Sequence, residues 1–200
     1  MQLGIIGLPQ SGKTTLFKAL THVDVPTEIS SGQLEVHTAV VDVPDPRVDQ
    51  LVELYKPKKI VRAKVTYADI AGLDGSAGKN GLSGALFNQL AQMDGFVHVV
   101  RQFENASVPH QAGSIDPVRD IQTMDTEFIL SDLVMIERRL ERLKEEHRRG
   151  VTRDRALIQQ DIDLFERLQA VLEKELPLRH YAFTPEEEKT LASFQFLSRK

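Results

Sequence analysis

Short apolar runs alternate with amphipathic patterns along the first hundred residues of this chain. The runs are rich in β-branched side chains, which is typical of strands, and the patterns between them repeat with a helical period. This alternation predicts an α/β fold with a mostly parallel sheet and helices on both faces. We predict strands over residues 3–6, 34–43, 61–70 and 96–100, and helices over residues 13–21, 46–55 and 82–93.

A different pattern begins after Asp116. Apolar residues recur there at heptad spacing among charged residues, and a second helical stripe follows Gly150. We expect the two helices to fold back into an antiparallel hairpin, a coiled-coil arm in which each stripe is buried on the other. The first stripe consists of Ile129, Leu133, Ile136, Leu140 and Leu143, and the second of Ile158, Ile162, Phe165, Leu168 and Leu172.

These patterns divide the chain into three predicted parts. Residues 1–119 hold the sheet, and residues 120–180 hold the helical arm. Residues 181–200 are expected to return toward the sheet domain through one more helix. Thr184 predicts its cap, and Pro185 falls in its first turn together with three glutamates.

Composition narrows the class of protein. A chain of 200 residues with 41% hydrophobic content suffices for one sizeable core. It contains no cysteine, which excludes disulfides and thiolate metal sites. A net charge of −4 is mild, so contact with nucleic acid requires a local basic patch, and we expect no DNA partner. The N-terminal apolar run is too short for a signal peptide or a membrane span, so we expect a cytoplasmic protein with no membrane partner.

A complete phosphate-loop motif follows the first apolar run and precedes a predicted helix. It reads Gly7-Leu8-Pro9-Gln10-Ser11-Gly12-Lys13-Thr14. The glycines allow the main-chain N–H groups to turn inward around phosphates, and the positive end of the following helix adds to the same anion site. Lys13 is expected to reach the β- and γ-phosphates of a nucleoside triphosphate, and the Thr14 hydroxyl to ligate Mg²⁺.

Most of this loop is expected to bind through its main chain, so we assign no side-chain chemistry to Gln10 or Ser11. The complete set of predicted nucleotide-binding residues in and after the loop is Gly7, Pro9, Gln10, Ser11, Gly12, Lys13, Thr14 and Thr15.

A second motif, Asp69-Ile70-Ala71-Gly72, ends the third predicted strand. It fits the D-x-x-G pattern of GTPase-type proteins, in which Asp69 belongs to the Mg²⁺ site and the Gly72 N–H bonds the γ-phosphate. We therefore predict Lys13 and Gly72 as the catalytic residues. The glycine-rich residues 72–84 that follow are typical of a mobile segment that senses the γ-phosphate.

Together these residues resemble the Obg-like ATPase (YchF) family. Besides residues 4–20, the matching segments are VPDPR (43–47), YKPKK (55–59), DIAGL (69–73), HVVR (98–101), GSIDPVRD (113–120) and the helical hairpin. The resemblance implies a GTPase-like P-loop domain with a coiled-coil arm, hydrolysis of ATP or GTP, and association with ribosomes or translation factors.

Several positions depart from the patterns expected of such proteins. Leu73 stands where many GTPases have a water-orienting glutamine, so we expect slow hydrolysis. Gln33 stands where the resemblance implies a threonine that senses Mg²⁺, and Thr27 or Thr38 are the alternatives for that role. The chain has no N-K-x-D or N-x-x-E motif for recognising the base. We therefore predict weak affinity for nucleotides and poor discrimination between ATP and GTP.

The family normally continues into further strands after the position that corresponds to Lys200. Residues 96–100 are therefore expected at an open sheet edge, and we interpret the chain as a fragment or a degenerate relative.

Three functional classes remain open. The first is a nucleotide-switched NTPase that reports the γ-phosphate to a translational partner through its arm. The second is a nucleotide-binding adaptor with little or no hydrolysis, which Gln33 and Leu73 favour. The third is a phosphate-loop kinase, against which the D-x-x-G motif and the long arm argue.

A basic cluster near the hairpin tip offers one route to a ribosomal partner. It consists of Arg148, Arg149, Arg153 and Arg155. These arginines can contact ribosomal RNA, or they can belong to a solvent-exposed turn of a charged coiled coil and serve only solubility.

Overall fold

We describe the protein from a computed structural model. The structure describes residues 1–24, 36–70, 82–108, 110, 112–150 and 154–200. Its internal contacts divide the chain into two units, residues 1–73 with 93–115 and residues 74–92 with 116–200. The predicted boundaries at residues 119 and 180 stay a prediction.

The first unit is built on a four-stranded sheet. Its elements are β1 (Gln2–Ile6), α1 (Lys13–Thr21), β2 (Val36–Asp42), α2 (Pro46–Tyr55), β3 (Lys64–Ile70) and β4 (Gly95–His98). The strand order is β2-β3-β1-β4, with β1 parallel to both β3 and β4, and β2 antiparallel to β3. The predicted α/β class with a mostly parallel, open sheet is confirmed.

Helix bounds in this unit follow the sequence closely, whereas strand bounds depend on pairing. Helices α1 and α2 begin and end where their patterns predict. Strand β3 begins at Lys64 rather than at residue 61, because the ladder with β2 ends at the pair Asp42↔Lys64. Residues 34 and 35, predicted as the start of β2, lie outside the described residues.

The core of this unit lies between the sheet and α1. Ile5 and Phe17 are fully buried, and Leu20, Tyr67 and Val97 pack against them. This packing fixes α1 on the sheet next to the end of β1, which is where the phosphate loop connects the two elements.

The second unit is helical. It contains α3 (Gly84–Ala91), α4 (Pro117–Arg149), α5 (Arg155–Leu172), a short 3₁₀ helix (Leu178–His180) and α6 (Pro185–Leu191). Helix α3 begins two residues later than predicted, because the Ser83 side chain accepts a hydrogen bond from the Leu86 N–H and caps it. Helix α6 begins after Thr184, as predicted, and the structure adds a complete capping box between Thr184 and Glu187.

The predicted hairpin of α4 and α5 is confirmed by the burial of its two stripes. Every residue of the two predicted stripes is buried except Leu133, which packs against the cluster while partly buried. The side chains of Leu178, Leu191 and Phe196 close the same core. No helix in the described parts of the chain is long and apolar enough to cross a membrane.

One buried carboxylate ties α4 to the C-terminal segment. The Asp132 side chain is fully buried and accepts hydrogen bonds from the main-chain N–H groups of Leu197, at 2.9 Å, and Ser198, at 2.8 Å. The Ser198 hydroxyl in turn accepts one from the Leu178 N–H. Burial raises the pKa of Asp132 to about 6, against the lowering effect of these hydrogen bonds.

Candidate phosphate-binding site

The phosphate loop follows the carboxyl end of β1, which is an interior strand of the sheet. Strand register places Ile5 of β1 beside Asp69 of β3, and Ile6 beside His98 of β4. The loop then enters α1 directly, with Gly12 as the residue before the helix. The phosphate loop and Asp69 thus lie close together at the carboxyl ends of the strands, because β1 and β3 are parallel neighbours.

The two motif glycines serve different needs. Gly7 is buried with φ +145°, and a Cβ added there would lie 2.2 Å from the main-chain oxygen of Val99. Gly12 has φ +102° but has no atom within 4 Å of such a Cβ. Gly7 is therefore required by close packing as well as by conformation, and Gly12 by conformation alone.

Lys13 is held at the start of α1 beside the loop. Its Nζ donates a hydrogen bond to the Leu8 carbonyl at 3.0 Å. Burial lowers the pKa of Lys13, and the negative charge of Asp69 partly opposes this by raising it. The ammonium group is thus poorly solvated in the protein alone, so a polyphosphate would provide the charge that this position lacks.

Thr14 and Asp69 are brought into direct contact by the fold. The Thr14 hydroxyl donates a hydrogen bond to Asp69 Oδ2 at 2.7 Å, across 55 residues of sequence. Asp69 is buried, and its other oxygen, Oδ1, has no hydrogen-bond partner among the described residues. This pair, predicted to form the metal site, is the best-defined contact between the two motifs.

These donors suit Mg²⁺. A carboxylate oxygen without a partner and a hydroxyl oxygen are the hard ligands that this ion takes, with phosphate oxygens and water completing its shell. No group of three or more acidic or histidine side chains gathers within the described residues, so the ion would depend on phosphate for its affinity. The residues therefore fit a metal bound together with a nucleotide.

The remaining predicted residues are placed as follows. Pro9, Gln10 and Thr15 are exposed around the loop, and Gln10 adopts φ +63°. Gly72, Leu73 and Gln33 lie outside the described residues, as do most of the predicted mobile residues 72–84.

The Ser11 side chain, to which the motif assigns no role, is buried by the fold. Its Oγ has no hydrogen-bond partner within the described ranges. The Ser11 N–H closes a turn to the Leu8 carbonyl at 3.3 Å. A serine in a permissive motif position carries no signal of burial, so only the fold could identify it.

A family model described as "50S ribosome-binding GTPase" matches residues 2–137 of the chain. Among curated proteins, the chain is 37% identical over 199 residues to the ribosome-binding ATPase YchF of Haemophilus influenzae, covering 98% of this chain and 54% of that protein. It is 33% identical to the protein of the same name from Bacillus subtilis, covering 98% of this chain and 53% of that protein. It is also 35% identical to Obg-like ATPase 1 of rice, covering 100% of this chain and 50% of that protein.

A solved structure agrees with these relatives. The Schizosaccharomyces pombe YchF GTPase matches with a TM-score of 0.79 and 31% identity, over 100% of this chain and 54% of that chain. The fold and the loop define a P-loop domain of the GTPase type. Within that class, the chain belongs to the Obg-like ATPase (YchF) family. It spans about half the length of the curated relatives it matches.

Proposed function

We propose that the chain binds a nucleoside triphosphate with Mg²⁺ at the phosphate loop and hydrolyses it slowly. The observation that carries this proposal is the Thr14–Asp69 hydrogen bond, which joins the two motifs beside the half-buried Lys13. A strand-end turn with no function would have no need to bury a carboxylate with one unpaired oxygen near a half-buried ammonium group, because burying charged groups costs free energy.

The loop supplies most of the phosphate contacts in this proposal. The left-handed conformations of Gly7 and Gly12 let successive main-chain N–H groups face one anion, to which the N-terminus of α1 adds its dipole. Lys13 then exchanges its bond to the Leu8 carbonyl for a phosphate oxygen. Binding of a polyphosphate is expected to raise the lowered pKa of Lys13, because it supplies the missing negative charge.

Thr14 and Asp69 would hold the metal. Because the Thr14 hydroxyl donates a hydrogen bond to Asp69, the lone pairs of its oxygen stay available for a cation. The bound Mg²⁺ would neutralise charge on the β- and γ-phosphates during phosphoryl transfer. Asp69 orients the hydroxyl, and its free Oδ1 can accept hydrogen bonds from water in the metal shell.

Slow turnover follows from the residues that would complete the site. Leu73 cannot orient water by hydrogen bonding, so positioning is left to the loop and to the Gly72 N–H. The second candidate is a nucleotide-binding adaptor without useful hydrolysis, which Gln33 and Leu73 both favour. The two candidates share the binding site and differ only in turnover.

Replacing Lys13 by alanine tests the site. Loss of a charge-assisted hydrogen bond to phosphate should weaken binding of Mg²⁺–ATP or Mg²⁺–GTP by about tenfold to a hundredfold, measured by isothermal titration calorimetry. Lys18→Ala is the matched control, because Lys18 lies on the same helix and pairs with Asp24 at 3.1 Å. Equal loss in both variants, or none in Lys13→Ala, would refute the site.

Single-turnover hydrolysis with the same proteins separates the two candidates. Release of phosphate that Lys13→Ala abolishes supports the NTPase, and binding without release supports the adaptor. Calorimetry also tests the expected weak affinity, since submicromolar binding that selects one base would contradict it.

For the whole protein, we propose a ribosomal partner and a cytoplasmic location. The names of the relatives support ribosome binding, and the tip of the arm carries a cluster of arginines. Arg148 and Arg149 are well exposed and both pair with Glu145, so a phosphate backbone would compete with that one carboxylate.

Charge reversal at the hairpin tip tests the contact with ribosomal RNA. Changing Arg148, Arg149, Arg153 and Arg155 to glutamate should lower co-sedimentation with ribosomes, most strongly at low salt. The control reverses four exposed lysines of the other unit, Lys56, Lys58, Lys59 and Lys64, and so makes the same change in net charge. An equal pellet fraction for the two variants would remove the arm from the proposal.

A further inference from the structure

The helical unit contains a pocket that the phosphate-loop chemistry does not use. It has a volume of about 620 Å³. It is lined by the beginning of α3, by the middle of α4 and by Phe194. Its size falls within the range of pockets that hold small organic ligands, about 300–1,000 Å³.

The charge of the pocket has one sign. Arg138, Arg139 and Arg142 of α4 line it, and no acidic side chain of the described residues does. Arg138 and Arg142 are four residues apart, so they lie side by side on the helix surface. Neither has a hydrogen-bond or ion-pair partner in the part of the chain that the structure describes.

Arg139 is only weakly compensated. Its Nη2 lies 3.9 Å from Asp161 Oδ2, and its Nε is buried with no hydrogen-bond partner among the described side chains and main chain. Guanidinium groups without partners attract carboxylates and phosphates, which they bind with two parallel hydrogen bonds. Two such groups, Arg138 and Arg142, together with the weakly compensated Arg139, favour a ligand that carries at least two negative charges.

The rest of the lining is apolar or neutral. Phe87, Val134, Met135 and Phe194 supply the apolar surface, and Ser83 and Ser131 supply hydroxyls. The Arg139 guanidinium lies 5.9 Å from the centre of the Phe194 ring, so the cationic and aromatic surfaces adjoin. Aromatic side chains beside a cationic group fit a flat apolar ligand that bears an anion.

We propose that this pocket binds an organic phosphate monoester with a flat apolar group. Its phosphate would bind Arg138 and Arg142, and its apolar group would lie against Phe87, Met135 and Phe194. The site is separate from the phosphate loop, which belongs to the other unit, and requires neither Lys13 nor Mg²⁺.

Methionine-methyl NMR can observe this pocket directly. The chain has four methionines, of which Met135 lines the pocket while Met124 is buried in the helical unit and Met93 belongs to the sheet unit. The 200-residue chain carrying Lys13→Ala is titrated with 4-methylumbelliferyl phosphate, so that the phosphate loop contributes little. We expect a saturable shift of the Met135 signal, and little change at Met93 and Met124, because the ring current of the ligand acts only at short range.

Charge-matched variants decide whether the arginines bind the ligand. Arg138→Gln with Arg142→Gln, both at exposed positions, should weaken binding at least about tenfold, since each removes a charged hydrogen-bond donor. Arg148→Gln with Arg149→Gln makes the same change in net charge on the same helix outside the pocket, and should leave binding unchanged. Equal weakening in both pairs would mean general attraction to the helix and would overturn the proposal.

Two further probes test the two halves of the ligand. Inorganic phosphate and uncharged 4-methylumbelliferone should each bind at least about tenfold more weakly than the phosphate ester. Equal binding of inorganic phosphate would reduce the site to an anion site, and equal binding of the uncharged compound would reduce it to an apolar pocket. Either result, or the absence of a saturable Met135 shift, contradicts the proposal.

Discussion

Gly7→Ala is expected to destabilise the chain and disable the phosphate loop, whereas Gly12→Ala should be milder. The new methyl group at residue 7 would meet the Val99 carbonyl oxygen at 2.2 Å, and φ at this residue is +145°. That carbonyl cannot easily withdraw, because the Val99 N–H donates to the Ile6 carbonyl at 2.8 Å and continues the pairing of β4 with β1. We expect a loss of about 2–6 kcal/mol in the free energy of unfolding, from backbone strain and overpacking together.

Gly12→Ala is the matched control for this prediction. It adds the same methyl group to the same loop at φ +102°, but into open space. Only the strain remains, so we expect a loss of about 1–3 kcal/mol. Urea unfolding of the two variants measures both losses of stability, and calorimetry measures how far each variant weakens the binding of Mg²⁺–ATP by the loop. Equal losses of stability in Gly7→Ala and Gly12→Ala would show that the close contact between the new methyl group and the Val99 carbonyl oxygen relaxes without a cost in free energy.

Asp132→Ala is expected to have an effect of similar size in the helical unit. It would leave the Leu197 and Ser198 N–H groups unpaired in the interior and open a small cavity. Each buried donor without a partner costs about 1–3 kcal/mol, so the free energy of unfolding should fall by about 2–6 kcal/mol. The free energy of unfolding of Asp132→Asn should lie between those of the native chain and Asp132→Ala, because the amide oxygen of the new asparagine can accept one of the two hydrogen bonds.

The same carboxylate predicts a dependence of stability on pH. Its pKa is raised to about 6 in the folded protein, from 3.8 when unfolded, so the folded state holds the proton more tightly between these values. The contribution of Asp132 to stability is therefore fully present below about pH 4. It is lost as the pH rises toward 6, by about 3 kcal/mol in total.

Unfolding curves at several pH values test the titration of Asp132. Other carboxylates also titrate in this range, so the relevant quantity is the difference between the native chain and Asp132→Asn, whose residue 132 does not titrate. That difference should shift by about 3 kcal/mol in favour of the native chain as the pH falls from 7 to 4. A difference independent of pH would contradict the raised pKa.

Local patterns were enough to predict much of the fold. The bounds of α1 and α2 and the buried stripes of α4 and α5 follow from apolar spacing, proline and capping residues, all of which act within a few residues. Strand bounds were less accurate, because a strand ends where its neighbour stops pairing. Helix α2 shows the limit of periodicity, since its amphipathic pattern is real but none of its residues is buried.

The sequence by itself determined that this is a P-loop α/β protein of the Obg-like type with a helical arm, because the loop motif and the heptad stripes depend on neighbouring residues. Only the tertiary structure decided that Thr14 contacts Asp69, that Gly7 but not Gly12 lies close to the main chain of Val99, and that Asp132 is buried. It alone also revealed the arginine-lined pocket between α3 and α4. These features depend on groups that are distant in sequence, and their proximity follows from strand order and helix packing, which no local pattern encodes.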